Sequence, residues 1–132
     1  MGSFHKIEGC TNSDLGSVKN FINSVKSELT DYIIDEDLFY DIRLILDELI
    51  INGAKHGNKC SKDKKVFLNV IMDNKEISIK VRDEGIGINY DPSAYKVEDM
   101  LCNGRGLLIV QSLADNVIMN KNEVTAVKYI LD

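Results

Sequence analysis

The sequence predicts an α+β protein, a two-layer sandwich in which a mixed, mostly antiparallel sheet is covered by helices on one face. Two stretches with apolar residues at three- and four-residue spacing precede stretches with strand-like alternation, so helices and hairpin-linked strands are segregated along the chain. The 132 residues, 44% hydrophobic and 28% charged, have the size and composition of one globular domain over 1–132.

The chain begins with a predicted edge strand and a first helix. The strand is expected over residues 4–10, and Thr11, Asn12 or Ser13 offers an N-cap for the helix that follows. Apolar residues recur in this helix at helical spacing, at Leu15, Val18, Phe21, Ile22, Val25 and Leu29.

A second helix is expected over residues 35–56, with acidic residues in its first turn, where the helix dipole favours negative charge. Its predicted buried stripe consists of Phe39, Ile42, Leu46, Leu49, Ile50 and Gly53. Gly57 and Asn58 are expected to end the helix, because glycine readily adopts the left-handed conformation.

The remaining chain predicts two strand pairs and a short helix. Residues 66–72 are apolar almost throughout, as in a central strand, and 77–81 alternate between apolar and polar, with a turn at 73–75. Residues 83–103 are rich in glycine and turn formers and predict a loop, with at most a short helical piece at 97–101. A helix over 105–114 and a closing strand pair around Lys121 and Asn122 complete the chain.

Charge, cysteines and apolar runs exclude several classes of protein. The net charge of −5 and the lack of a long basic patch argue against nucleic-acid binding. Three widely spaced cysteines without a CxxC pair fit reduced thiols in a cytoplasmic protein, and His56 with Cys60 makes too few ligands for zinc. No apolar run is long enough to span a bilayer, and the first residues do not have the pattern of a signal peptide.

The first candidate site segment is the pair Glu48 and Asn52. Residues four apart on a helix project from one face, so this carboxylate and carboxamide lie one turn apart. Such a pair of oxygens suits Mg²⁺, directly or through water, and the orientation of a nucleophile. In isolation, a plain polar face on an amphipathic helix is the simpler explanation of the pair.

The second segment, Asp83-Glu84-Gly85-Ile86-Gly87, directly follows a predicted strand. A carboxylate at a strand end can accept a hydrogen bond from an exocyclic amine such as that of adenine, and the glycines allow a base to approach the main chain. An ordinary glycine turn is the alternative.

The third segment, Gly104-Arg105-Gly106, opens a predicted helix. Free N–H groups and the positive end of the helix dipole favour phosphate there, and Arg105 adds charge-assisted hydrogen bonds. A flexible hinge at a helix start is the alternative. The GxxxxGK[ST], HRD and DFG signatures are absent from the sequence, so neither a P-loop protein nor a kinase with a Gly-rich loop is expected.

The order and spacing of the three segments resemble the GHKL superfamily, which has the Bergerat ATP-binding fold. Within it the chain resembles the anti-sigma-factor serine/threonine kinases, over residues 14–131. The sharpest matches are 47–57, 81–85, 104–110 and 124–131.

The resemblance implies roles for individual residues in binding Mg²⁺ and ATP. Asn52 would ligate Mg²⁺ and Glu48 would act as the general base. Asp83 would bind the adenine amine in a pocket shaped by Gly85 and Gly87, with Thr125 nearby. Phosphate contacts would come from Gly104, Arg105 and Gly106, and Lys55 would lie near the phosphates.

The implied reaction is transfer of the γ-phosphoryl group to serine or threonine of a small antagonist protein, with the loop over 88–103 closing over the triphosphate. A sigma factor and that antagonist would be the partners, without direct contact to nucleic acid or membrane, and a homodimer is a further expectation. Three alternatives remain open: a histidine-kinase catalytic and ATP-binding domain, a nucleotide-gated binding module without phosphotransfer, and an α+β domain without a nucleotide site.

Overall fold

A computed structural model describes residues 4–59, 61–85 and 105–130 of the chain. In these residues the strands are β1 (His5–Asn12), β2 (Lys65–Met72), β3 (Glu76–Arg82), β4 (Asn116–Asn120) and β5 (Glu123–Tyr129). The helices are α1 (Leu15–Leu29), α2 (Glu36–Asn52) and α3 (Arg105–Leu113). A π-helical turn, Gly53–Gly57, continues α2 directly.

The strands form one sheet in the order β1-β2-β3-β5-β4. The predicted α+β class is confirmed, and β1 lies at the sheet edge as expected. Every pairing between the described strands is antiparallel, so the mixed character expected for the sheet is not found among them. The last strand of the chain, β5, lies between β3 and β4, and its pairing with β3 extends from Arg82↔Glu123 to Glu76↔Tyr129.

Two tight turns connect the hairpins. Between β2 and β3 the Asp73 carboxylate accepts hydrogen bonds from the backbone N–H of Lys75 at 2.7 Å and of Glu76 at 2.9 Å, which closes the turn predicted at 73–75. These two bonds lower the pKa of Asp73. Between β4 and β5, Lys121 has a φ of 57°, in the left-handed region that a two-residue hairpin turn requires.

The hydrophobic core lies between the helices and one face of the sheet. Alternate strand residues are buried, and they include Val66, Leu68, Val70 and Met72 of β2, Ile77, Ile79 and Val81 of β3, and Val124 and Ala126 of β5. The residues between them are half-buried or exposed. This period-two pattern is what a sheet covered on one face produces.

Helix α1 begins one residue later than its predicted caps suggest. Asp14 is the N-cap, and its carboxylate accepts from the Ser17 N–H at 3.1 Å, so the predicted cap at Thr11, Asn12 or Ser13 was wrong. Strand β1 extends through Asn12 and the Ser13 side chain is fully buried, which leaves Asp14 as the first residue free to cap.

Helix α2 begins as predicted, with Asp35 accepting from the Leu38 N–H at 3.0 Å as N-cap. Its buried stripe contains Ile45 in addition to the predicted residues, whereas Phe39 is only half-buried. The left-handed residue beyond the helix is Lys59, with a φ of 53°, and not Gly57.

Helix α3 begins at Arg105 as expected and packs mainly against α2, with Val110 fully buried between them. None of the helices in the described part of the chain is both long and apolar enough to cross a bilayer. The expected loop at 83–103 and its short helical piece lie, from residue 86 onward, outside the described residues.

Candidate nucleotide site

The C-terminal end of α2 carries two polar side chains in an otherwise apolar setting. Glu48 and Asn52 are half-buried and one turn apart, and Leu49 and Ile50 between them belong to the core. The Asn52 Nδ2 atom is buried and has no hydrogen-bond partner among the described residues. Buried polar atoms in folded proteins are nearly always paired, so Asn52 is left with capacity to bind a ligand.

The helix changes its hydrogen bonding immediately after Asn52. The N–H of Asn58 donates to the carbonyl of Gly53 at 2.8 Å, five residues earlier, as in a π-helix. The prediction of a regular helix to residue 56 was therefore wrong beyond Asn52. Single π-helical turns inside or at the end of α-helices frequently occur at functional sites.

Asp83 follows the last residue of β3 and lies against this π-helical turn. Its exposed fraction is 5%, and its carboxylate accepts from the N–H of Gly85 at 2.7 Å. A Cβ atom placed on Gly53 would lie 3.6 Å from the Asp83 Cβ. The structure therefore brings the end of the helix with Glu48 and Asn52 to the strand end with Asp83.

At two positions close to this carboxylate, the surrounding atoms leave no room for any side chain, so glycine is required. A Cβ atom on Gly57 would overlap the Asp83 carboxylate, with Oδ1 at 2.6 Å, and one on Gly85 would overlap the backbone of Gly57, with its carbonyl carbon at 2.8 Å. Burial raises the pKa of the Asp83 carboxyl, against the hydrogen bond from Gly85 and the charge of Lys64, which both lower it.

Two asparagines that sequence reasoning did not select hold the backbone of the Asp83 turn. Asn58, just after the π-helical turn, accepts from the N–H of Glu84 at 2.7 Å. Asn122 lies in the β4–β5 turn, where its backbone carbonyl accepts a hydrogen bond from the Asp83 N–H at 3.0 Å. The side-chain amide of Asn122 donates a second hydrogen bond to the Asp83 carbonyl. Asparagine is so common in turns that neither position carried a usable sequence signal.

The other predicted site residues, apart from Thr125, divide into three groups. Lys55 is exposed and lines a groove of about 400 Å³ between α1 and α2, which Asp83 does not line. Arg105 and Gly106 begin α3 as expected, and Gly87 and Gly104 lie outside the described residues.

Thr125 is not brought to Asp83, which corrects the expectation that the two lie close together. Its neighbours Val124 and Ala126 are buried on the helix-covered side of β5, where Asp83 also lies. Because successive strand residues point to opposite faces, the Thr125 side chain points to the other side of the sheet.

The donor set fits a nucleotide with a divalent cation. The unpaired Asn52 Nδ2 is a donor that suits a phosphate oxygen or a water molecule on the cation. The side-chain oxygens of Asn52 and Glu48, one turn apart, are of the kind that Mg²⁺ prefers. Asp83 is a buried acceptor beside a glycine-lined backbone. Fold and site together define an ATP-binding α+β sandwich.

Comparison with known proteins agrees with this class. A family model described as "Histidine kinase-like ATPase domain" matches residues 11–130. The chain belongs to the histidine kinase-like ATPase family, and its resemblance to the GHKL superfamily is confirmed.

Several similar proteins are anti-sigma F factors. The chain is 26% identical over 99 residues to that of Oceanobacillus iheyensis, a match that covers 71% of this chain and 68% of the relative. It is 26% identical over 115 residues to that of Clostridium acetobutylicum, covering 83% and 78%. For Bacillus thuringiensis the identity is 27% over 88 residues, covering 63% and 60%.

Proposed function

We propose that this chain is a single-domain, Mg²⁺-dependent protein serine/threonine kinase of the anti-sigma type. It binds a sigma factor and transfers the γ-phosphoryl group of ATP to serine or threonine of a small antagonist protein in the cytoplasm. The names of the similar proteins, anti-sigma F factors, support this choice of partners. A homodimer is compatible with the proposal.

One observation carries the proposal. The helix end with Glu48 and Asn52 packs against Asp83 so closely that only glycine fits at position 57. A purine bound at Asp83 would therefore lie within reach of the cation-binding pair, and the triphosphate would extend along α2. A solvated polar helix face and an ordinary glycine turn would have no reason to meet in this way.

Each residue of the site has a separate task in the proposed reaction. Asp83 accepts the adenine amine, with Gly85 and Gly87 leaving room for the base. Asn52 ligates Mg²⁺, which neutralises charge that develops on the transferred phosphoryl group. Glu48 accepts the proton of the attacking hydroxyl. Gly104, Arg105 and Gly106 donate to phosphate oxygens at the start of α3, and Lys55 contributes positive charge nearby.

The test separates binding from phosphoryl transfer with the variant Glu48→Gln. We expect its affinity for ATP to stay within about threefold of wild type, while transfer of labelled γ-phosphate to a candidate antagonist falls by about 10²- to 10⁴-fold, the usual contribution of a general base. Glu36→Gln is the matched control, because Glu36 is exposed in the first turn of the same helix. Its transfer rate should equal that of wild type.

Calorimetry with ATP accompanies the transfer assay. Unchanged transfer in Glu48→Gln would remove Glu48 from the mechanism. A wild-type protein that binds ATP and transfers no phosphate to antagonist would be a nucleotide-gated binding module instead.

A further inference from the structure

We infer that Asn58 and Asn122 are positioning residues that together hold Asp83 in place for recognition of the adenine amine. The inference rests on the proposed function in one respect, since it takes Asp83 as the acceptor of that amine. The two side chains reach the Asp83–Gly85 turn from opposite directions along the chain, 26 residues from Glu84 and 39 residues from Asp83.

The turn needs support that the sheet does not give. The ladder between β3 and β5 ends at the pair Arg82↔Glu123, so the backbone of Asp83 and Glu84 lies beyond the last strand pair. Backbone groups that lie in partly buried surroundings need other partners. Here the partners of the Asp83 N–H, the Asp83 carbonyl and the Glu84 N–H are all supplied by the two asparagines.

Asn58 connects the turn to two other parts of the molecule. Its exposed fraction is 1%, and its side-chain amide donates to Ser13 Oγ at 2.9 Å and to the Lys65 carbonyl at 2.8 Å while its oxygen accepts from Glu84. Ser13 is itself fully buried and donates to the Lys64 carbonyl at 2.7 Å. Such a satisfied buried network fixes one geometry, because any shift would leave a buried polar group unpaired.

Asn122 holds the same turn from the β4–β5 hairpin. Its backbone carbonyl accepts from the Asp83 N–H and its side-chain amide donates to the Asp83 carbonyl, so both backbone polar groups of Asp83 are engaged. The left-handed backbone of Lys121, with a φ of 57°, directs the hairpin turn into this position.

The site tolerates little movement of Asp83. The carboxylate lies where any side chain on Gly57 would overlap it, so the turn has no free space on the helix side. A shift in the other direction would lengthen the hydrogen bond to the base, and hydrogen bonds weaken steeply with distance and angle. Loss of either asparagine should therefore reduce the preference for a base that carries the amine, in addition to reducing stability.

The test compares ATP with inosine triphosphate, which carries a carbonyl oxygen where ATP carries the amine. Wild type should prefer ATP, and Asn58→Ala and Asn122→Ala should each reduce that preference by at least about tenfold, measured as the ratio of the two dissociation constants. Two controls should keep the full preference. Asn120→Ala removes an exposed asparagine two residues before Asn122, and Val70→Ala lowers stability from the centre of β2.

The outcomes separate this inference from the proposed function. A wild type that does not bind ATP overturns both. A wild type that binds both nucleotides equally overturns the amine-binding role of Asp83 and with it the positioning role, whereas phosphoryl transfer is tested separately by the Glu48→Gln assay. A wild type that prefers ATP, with variants that keep the preference, overturns the positioning role and leaves the proposed function standing. If Val70→Ala also had a reduced preference for ATP over inosine triphosphate, general destabilisation would explain the effect of the asparagine variants. That result would also overturn the positioning role. If Asn58→Ala does not fold, Asn122→Ala decides, since it removes one side-chain bond at a half-buried turn and keeps the backbone carbonyl.

Discussion

Asp83 lies in surroundings that favour its neutral form, although its proposed task favours the charged one. Burial raises its pKa above the ordinary value of 3.8, and the hydrogen bond from Gly85 and the charge of Lys64 only partly offset this. Unfavourable ionisation of this kind is common where a polar group serves binding and not stability.

The variant Asp83→Asn should therefore be more stable than wild type at neutral pH and weaker in ATP binding. A raised folded-state pKa means that the folded protein binds the proton more tightly, so this group lowers wild-type stability as pH rises from 3.8 to the raised pKa. The difference in Tm between variant and wild type should grow across that interval and stay constant above it. Thermal unfolding at a series of pH values measures it.

The same variant should bind ATP about tenfold more weakly, because a neutral amide oxygen accepts a hydrogen bond less strongly than a carboxylate. Equal ATP affinities by calorimetry would contradict the role of Asp83. In the stability measurement, comparing the variant with wild type at each pH cancels the contributions of other carboxylates to the pH dependence. Asp14 and Asp73, whose pKa values are lowered, are examples.

At this scale the sequence singled out candidate site residues but not all of the residues that surround them. Asp83 and Gly85 stood out because a carboxylate followed by glycines at a strand end is a distinctive pattern. The partners Asn58 and Asn122 could not be found, because their role depends on contacts between segments 26 and 39 residues apart. Thr125 was expected near Asp83, whereas its pairing with the exposed Lys80 places its side chain on the other face of the sheet.

Among the elements, the junction of α2 and its π-helical turn connects the fold to the site. The apolar stripe of α2 was predictable from its spacing, and so was the end of the helix near residue 57. The π-helical turn was not, because five residues with a shifted hydrogen bond leave the apolar periodicity almost unchanged. Gly57 was interpreted as a left-handed stop, whereas the structure requires glycine there because the Asp83 carboxylate occupies the space of a side chain.

Gly57→Ala should destabilise the protein by about 1–3 kcal/mol, the usual cost of forcing an extra methyl group into a packed site. The added Cβ would overlap the Asp83 carboxylate, so either the π-helical turn or the strand end must move. Urea unfolding gives the change in the free energy of unfolding, and ATP affinity should fall with it.

Gly16→Ala in α1 is the matched control for the backbone effect of removing a glycine. Its Cβ would have only the Asp14 carboxylate nearby, at 3.8 Å, and alanine favours helix, so stability should rise by up to about 1 kcal/mol. If the two alanine variants were equally stable, the close approach at Gly57 would not be limiting.

Across the whole molecule, one lysine joins three elements near the end of α3. The Lys128 ammonium of β5 donates to the Leu113 carbonyl at 2.6 Å, at the last residue of α3, and pairs with Asp41 of α2 at 3.3 Å. Both members of the pair are largely shielded from solvent, with side chains 21% and 27% exposed. A cation at a helix C-terminus is also favoured by the helix dipole.

Lys128→Met should cost about 1–2 kcal/mol of stability, because it leaves both a carboxylate and a helix carbonyl without their partner. Lys80→Met is the matched control, since Lys80 is more exposed and its distance to Glu123 is 3.6 Å. That substitution should change stability by less than about 0.5 kcal/mol. Chemical unfolding of the two variants at the same salt concentration measures both effects, and equal losses would contradict the assigned difference.

The position of β5 inside the sheet has a consequence for synthesis on the ribosome. Until residues 123–129 emerge, the outer side of β3 has no partner, and an unpaired strand edge invites association with other chains. Asn122 arrives at the same moment, so the Asp83 turn lacks its hydrogen-bond partners on Asn122 until the sheet closes. A nascent chain stalled after β3 should therefore be unresponsive to ATP, and the emergence of β5 should confer ATP binding and sheet closure together.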